Sequence, residues 1–267
     1  MNSIDKTLHH NIHSSMMSMK PSGLLKNPRL KLLDFFENKF AKVKGTVLDV
    51  GSGSGYASIK LGLKSDVEKV YALDASEKAC NELIPKNVEY FNLEEKVVTI
   101  CAPFSDIPLS ECIDFAVSFG SLHHSKCLFS TFRAVTSSLK EGSYLLVQEP
   151  AMPDFTTNLE YQKKYDCIES KFGVEIRNGD RDDHFFRVSE YIIAAQFCGM
   201  DLLYSGDFYS LQSKFQKFKE TFKNWGNRED EDNISFQTRK VIPKVFVFKK
   251  HKKNIPIAHL WQPLRSG

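Results

Sequence analysis

Gly45-Thr46-Val47-Leu48-Asp49-Val50-Gly51-Ser52-Gly53-Ser54-Gly55 joins an apolar run to a loop with a glycine at every second position. Glycine tolerates positive φ and lets backbone approach another group with no Cβ in the way. An apolar strand that empties into such a loop, and then into the helix-forming Tyr56-Ala57-Ser58-Ile59, predicts a strand-loop-helix unit built around a nucleotide-type ligand. The spacing narrows the ligand. A dinucleotide loop reads G-x-G-x-x-G, whereas here Tyr56 stands where the third glycine would fall and Gly55 comes one residue early. Asp49, two residues before the first glycine, would repel a diphosphate and attract an ammonium group.

Moving outward, Val70-Tyr71-Ala72-Leu73-Asp74 is a second apolar run that ends in a carboxylate. An acid at that place can accept both hydroxyls of a ribose. It can also cap the next helix, as can Ser76, and the two roles are compatible. Three more short apolar runs follow: Lys96–Cys101, Cys112–Phe119 and Ser143–Glu149. Helical stretches separate them. One runs from Leu128 to Lys140, with Leu128, Phe132, Val135 and Leu139 on one face and Gly142 in the place of a terminating glycine. Strands alternating with helices predict a doubly wound α/β sheet. Past the fifth strand the pattern continues with a helix over about Val188–Cys198 and two final strands, Met200–Phe208 and Val241–Lys249.

On Asp49, Gly51, Gly53 and Gly55 the chain resembles the class I S-adenosylmethionine-dependent methyltransferases, whose first motif is (D/E)-x-G-x-G-x-G. The resemblance implies a Rossmann-like seven-stranded sheet whose last two strands form an antiparallel hairpin. It implies S-adenosyl-L-methionine as cofactor, Asp49 toward its ammonium group, and Asp74 with Ala75 at the ribose. Relatives carry Gly-Asp-Ala after the third strand, the aspartate bonding the adenine amino group. Here the stretch is Ala102-Pro103-Phe104-Ser105-Asp106, so Phe104 is the candidate to pack on adenine and Pro103 supplies no side-chain bond. Ser118, at the end of the fourth strand, completes the expected cofactor set.

The turn Phe119-Gly120-Ser121-Leu122-His123-His124 is similar to the xGxLHH turn of the type 11 small-molecule methyltransferases, and its Leu-His pair to phosphoethanolamine methyltransferases. Histidine titrates near 6.5, which suits it to take a proton from a hydroxyl or ammonium acceptor near neutral pH. His123 is one candidate base; Glu149, ending the fifth strand, and His184 are the others. Arg177, Arg181 and Arg187 could hold a phosphate or carboxylate of the substrate, or pair with Asp180, Asp182 and Asp183. The resemblance thus implies methyl transfer to oxygen or nitrogen of a small molecule. The alternatives are a nucleic-acid methyltransferase using the basic stretch Arg239 to Lys253, or a non-catalytic S-adenosylmethionine-binding module. Against the first, the (D/N/S)-P-P-(Y/F/W) signature of base methylation is absent after the fourth strand, which reads Ser118-Phe119-Gly120-Ser121.

Domain organisation is expected as an N-terminal helical lid over 1–40, a catalytic domain over 41–253 and a tail over 254–267. Substrate-side insertions follow strands five and six, at about 150–187 and 209–240; in the second, Phe215, Phe218, Phe222 and Trp225 form a helical stripe. With 267 residues, 42% hydrophobic and 26% charged, the chain can bury a large core, and its net charge of +3 is small. The six cysteines form no C-x-x-C and read as buried, reduced thiols. His9 and His13 have i, i+4 spacing without a third ligand, so no metal is expected. No apolar run approaches twenty residues, and a cytoplasmic protein with no membrane partner is expected.

Overall fold

The computed structural model describes residues 21–155, 186–211 and 242–251. Its strands are β1 (Gly45–Val50), β2 (Val67–Asp74), β3 (Val97–Cys101), β4 (Ile113–Phe119), β5 (Leu139–Ala151), β6 (Met200–Asp207) and β7 (Ile242–Lys250). They form one sheet in the order β3-β2-β1-β4-β5-β7-β6. The first five are parallel, and β7 runs antiparallel between β5 and β6.

The alternation of side chains along each strand assigns them to two cores. Val47, Val70, Ala72, Phe115, Val117 and Leu146 face one layer, while Leu48, Val50, Leu73, Ala116 and Leu145 face the other. Over the first layer lie helices α1 (Pro21–Leu24), α2 (Lys31–Lys39), α3 (Tyr56–Gly62) and α4 (Ile84–Tyr90). Over the second lie α5 (Leu128–Ser138) and α6 (Val188–Phe197). A short α7 (Phe208–Leu211) follows β6. Strands with near-continuous apolar sequence are thus covered on both faces, as a parallel sheet requires.

Three expectations need correction. The helix expected to reach Lys140 stops at Ser138, because Leu139 is already extended and pairs with Ile113 in the sheet. Gly142 has φ +76°, but it serves an irregularity in β5 where the register with β4 slips, not a helix end. The cysteines are not uniformly buried. Cys80 is, Cys112 and Cys198 are half-buried, and Cys101 and Cys127 are exposed, all five as free thiols. Among the described residues no helix is long and apolar enough to cross a membrane, and no group of three potential metal ligands occurs.

His9, His13, Cys167, Arg177, Arg181, His184 and the stripe Phe215 to Trp225 lie outside the described residues, as does the tail after residue 251. Of the basic C-terminal stretch, Lys244 pairs with Asp207, Lys249 lies over the Tyr144 ring, and Lys250 binds Glu111 and the Leu139 carbonyl. These three cations are engaged along β7, between β5 and β6.

Candidate functional site

The sheet changes direction between β1 and β4: β2 and β3 extend from one side, β5 and its neighbours from the other. A crevice opens at the carboxyl ends of the strands at such a point. The loop after β1 and the turn after β4 meet there.

Gly51 has φ +74°, and a Cβ on it would lie 2.2 Å from the Ser121 Cβ, so only glycine allows the two loops to touch. Ser121 Oγ donates to the Val50 carbonyl at 2.7 Å, bolting the β4 turn to the end of β1. Gly53 differs. Its φ is +55°, and a Cβ there would meet no atom within 4 Å, so the loop presents bare backbone to open space. Gly55, at φ +79°, precedes α3 in the left-handed region.

Asp74 supports that loop from the side of β2. Its Oδ2 accepts the Gly53 N–H at 2.7 Å and its Oδ1 accepts the Ser76 N–H at 2.9 Å. The carboxylate is half-buried, and each oxygen has a further lone pair to offer a hydroxyl donor. Ala75 beside it is exposed. Phe104 reaches the same place from beyond β3: its ring edge lies 3.2 Å from where a Gly51 Cβ would be. The cradle thus combines unobstructed backbone, a half-buried acid and an aromatic ring, which fits an adenosyl group.

Asp49 is buried, and its Oδ2 accepts from Ser58 Oγ at 2.6 Å, turning the carboxyl toward the start of α3. Burial raises its pKa from 3.8 to about 6 against the opposing hydrogen bonds from Ser58 and Ser52. Ser118 is likewise enclosed, its hydroxyl 2.7 Å from Ser121 Oγ, so it holds the β4 turn in shape.

On the other side of the crevice, Glu149 of β5 lies fully buried beneath the turn containing His123. Its Oε1 accepts the N–H groups of Ser121 at 2.7 Å and Leu122 at 2.8 Å; its Oε2 accepts the His123 N–H at 3.3 Å and stands 2.8 Å from His123 Nδ1. Burial alone would raise the Glu149 pKa, but the hydrogen bond and charge of His123, then the Leu122 and Ser121 N–H groups, hold it below the ordinary value. An ionised carboxylate only accepts, so His123 Nδ1 carries the proton of that bond and Nε2 is the basic nitrogen of the neutral ring. The enclosed Glu149 carboxylate thus holds the turn through its N–H groups and orients the His123 ring. The His124 ring lies tilted by 40° against that of His123, with centroids 4.0 Å apart.

Two further residues escaped the sequence reading. Arg29, from the short turn Pro28–Leu30, donates Nη1 to the Phe119 carbonyl at 3.3 Å, and a Cβ at Gly120 would lie 2.9 Å from both of its terminal nitrogens. Tyr56 donates its hydroxyl to the same carbonyl at 3.4 Å; burial pushes its pKa up to about 12, against the charge and hydrogen bond of Arg29. Nothing in the isolated segment Asn27-Pro28-Arg29-Leu30 signals this placement. Tyr56 had a signal, as the residue standing where a dinucleotide loop has glycine. At the start of α6 the Arg187 main-chain N–H donates to the Glu190 carboxylate, and the Arg187 guanidinium lies 3.9 Å from the same group.

The family profile described as "Methyltransferase domain" matches residues 24–240. Among curated proteins none matches the sequence significantly. Solved structures of the same fold include a protein proposed to be a sarcosine dimethylglycine methyltransferase of Galdieria sulphuraria, 19% identical over 83% of this chain and 86% of that one, with TM-score 0.60. Another is the geranyl diphosphate C-methyltransferase of Streptomyces coelicolor A3(2), solved with S-adenosyl-L-homocysteine, at 12% identity, 85% and 79% coverage and TM-score 0.63. A third, the [4+2]-cyclase SpnF, is 15% identical with TM-score 0.58 over 83% and 80% of the two chains. At such identities the likeness is one of fold, and the chemistry has to be argued from the site.

Proposed function

The chain belongs to the class I S-adenosylmethionine-dependent methyltransferases, and on that premise we propose that it methylates an oxygen or nitrogen of a small molecule, with His123 taking the acceptor's proton. The observation that carries this reading is the buried Glu149 carboxylate 2.8 Å from His123 Nδ1. It orients the ring, selects the tautomer with a basic Nε2, and stabilises the imidazolium once the proton arrives. When bound, S-adenosylmethionine supplies a methyl group already activated for displacement. The protein's part is to align the acceptor and remove its proton.

In this reading Gly51, Gly53 and Gly55 admit the cofactor to the backbone, Asp74 accepts the ribose hydroxyls, and Phe104 packs on the adenine. Arg29, at Gly120, offers a cation to the carboxylate end of the methionine moiety. Asp49 acts through the loop it underpins. The ring of His123 stands on the β4 side of the crevice, opposite Asp74, which suits it to the acceptor. The engagement of Lys244, Lys249 and Lys250 by groups of the fold supports a small-molecule acceptor over a nucleic acid.

Single-turnover rates across pH, with acceptors bearing hydroxyl or amine groups, test the proposal. His123→Ala is expected to lower kcat by about a hundredfold while leaving the cofactor Kd nearly unchanged. His123→Ala with a near-normal rate and an unshifted acidic limb would overturn the assignment.

A further inference from the structure

Two cysteines with no part in methyl transfer meet beside Asp74. Cys80 lies in the π turn Ala79–Leu83 that follows β2 and is buried. Its Sγ donates to the Asp74 main-chain oxygen at 3.3 Å and lies 3.8 Å from the Ile100 carbonyl oxygen. Cys101 ends β3, is exposed, and is the cross-strand neighbour of Asp74 in the parallel register. The Ile100 carbonyl that Cys80 Sγ approaches belongs to the peptide bond of Cys101, so the buried sulfur lies against the residue pair that ends β3. The Asp74 main-chain oxygen also takes the Ala102 N–H at 3.0 Å, and its carboxylate takes Gly53 and Ser76. Cys80, Cys101, Asp74 and the glycine loop therefore form one connected unit.

We propose that Cys80 and Cys101 are a peroxide-oxidisable dithiol whose disulfide weakens cofactor binding at the adjacent Asp74. The second half rests on the ribose role given to Asp74 above. Exposure makes Cys101 the sulfur that meets the oxidant. Burial first, then the Cys101 thiol and the Asp74 charge, push the Cys80 thiol up to about 12, so Cys80 stays protonated and does not compete with Cys101 for the peroxide. The Cys101 thiolate attacks one peroxide oxygen, the O–O bond breaks, and water leaves a sulfenic acid. The Cys80 sulfur then attacks that sulfur, gives up its proton, and a second water departs. Two thiols and one hydrogen peroxide become one disulfide and two waters, the sulfurs losing the two electrons that the peroxide gains. Closure to a sulfur–sulfur bond of about 2.05 Å draws the π turn toward β3 and removes the S–H donor from Asp74.

The test uses the full chain treated with hydrogen peroxide. Trypsin cuts at Lys86 and Lys96, between the two cysteines, and fragmentation of the linked peptide assigns the bond to Cys101 rather than Cys112, which shares its tryptic peptide. Cys127 is the competing exposed thiol, its pKa lowered by the Ser130 hydrogen bond, and Cys127→Ser removes it. The expected result is the linked peptide together with a rise of about fivefold or more in the Kd for S-adenosylhomocysteine, reversed by dithiothreitol. Cys101→Ser should bind normally before treatment and lose both responses. Peroxide treatment that yields only over-oxidised Cys101, with no linked peptide, would overturn the dithiol. A linked peptide with unchanged Kd would overturn the coupling. Failure of the ribose reading has its own signature: Asp74→Ala would bind S-adenosylhomocysteine as the unmodified chain does, while the linked peptide still formed.

Discussion

The two walls of the crevice are built by different means. On the β2 side, Asp74 holds Gly53 and Ser76 through backbone N–H groups, and its partners follow the strand order β1-β2-β3. On the β4 side, Glu149 gathers three N–H groups and a ring nitrogen from a turn 26 to 28 residues earlier, and Arg29 reaches Phe119 across 90 residues. The first wall is half-exposed and keeps lone pairs for a ligand. In the second, a fully buried charge fixes one side chain. The contrast suits a cofactor shared by many relatives on one side and an acceptor particular to this chain on the other.

The sharpest way to break this comparison is to remove the buried charge. Glu149→Ala leaves three N–H groups and the His123 ring without their acceptor, and should cost about 3–5 kcal/mol in denaturant unfolding. A loss under about 1 kcal/mol would show that the β4 turn holds its shape unaided.

Asp49 gives the next largest effect, with a defined sign. Its folded pKa of about 6 lies above 3.8, so the protonated form is favoured in the fold. The stabilisation from protonation is complete below about pH 4 and is lost as pH rises through 6, by up to about 3 kcal/mol. Asp49→Asn should therefore match the unmodified chain at pH 4 and exceed it in stability at pH 7. Thermal melts at the two pH values check this. Equal differences at both would mean that the carboxyl does not titrate as its burial requires.

Asp74→Ala sharpens the comparison from the other wall. It should raise the Kd for S-adenosylhomocysteine about tenfold or more, with catalysis at saturating cofactor changed far less. Calorimetry alongside NAD, which should bind more weakly than S-adenosylhomocysteine, measures both affinity and selectivity. If Asp74→Ala lowered kcat and left Kd alone, the two walls would have exchanged roles.

What could be read along the chain was whatever has a local cause. Gly51, Gly53 and Gly55 signalled a loop because positive φ excludes most other residues, and all three adopt it. Alternating apolar runs identified the strands because both faces of a parallel sheet are buried. Asp74 was legible because it ends such a run. The helix end near Ser138 was misread because Gly142 satisfies the same φ requirement at a strand irregularity as at a helix terminus. Only the pairing partner, Ile113, decides between them.

The sequence by itself determined the fold class, the loop that admits the cofactor and the histidine turn, since each is written in contiguous residues with their own conformational demands. Tertiary structure alone decided where their side chains go. It turned Asp49 inward onto Ser58, placed Glu149 beneath the His123 turn, brought Arg29 to Gly120, and set Cys80 against the end of β3. Each of these depends on which strands become neighbours. That choice is made by burial of apolar faces over the whole sheet, and no short stretch of chain carries it.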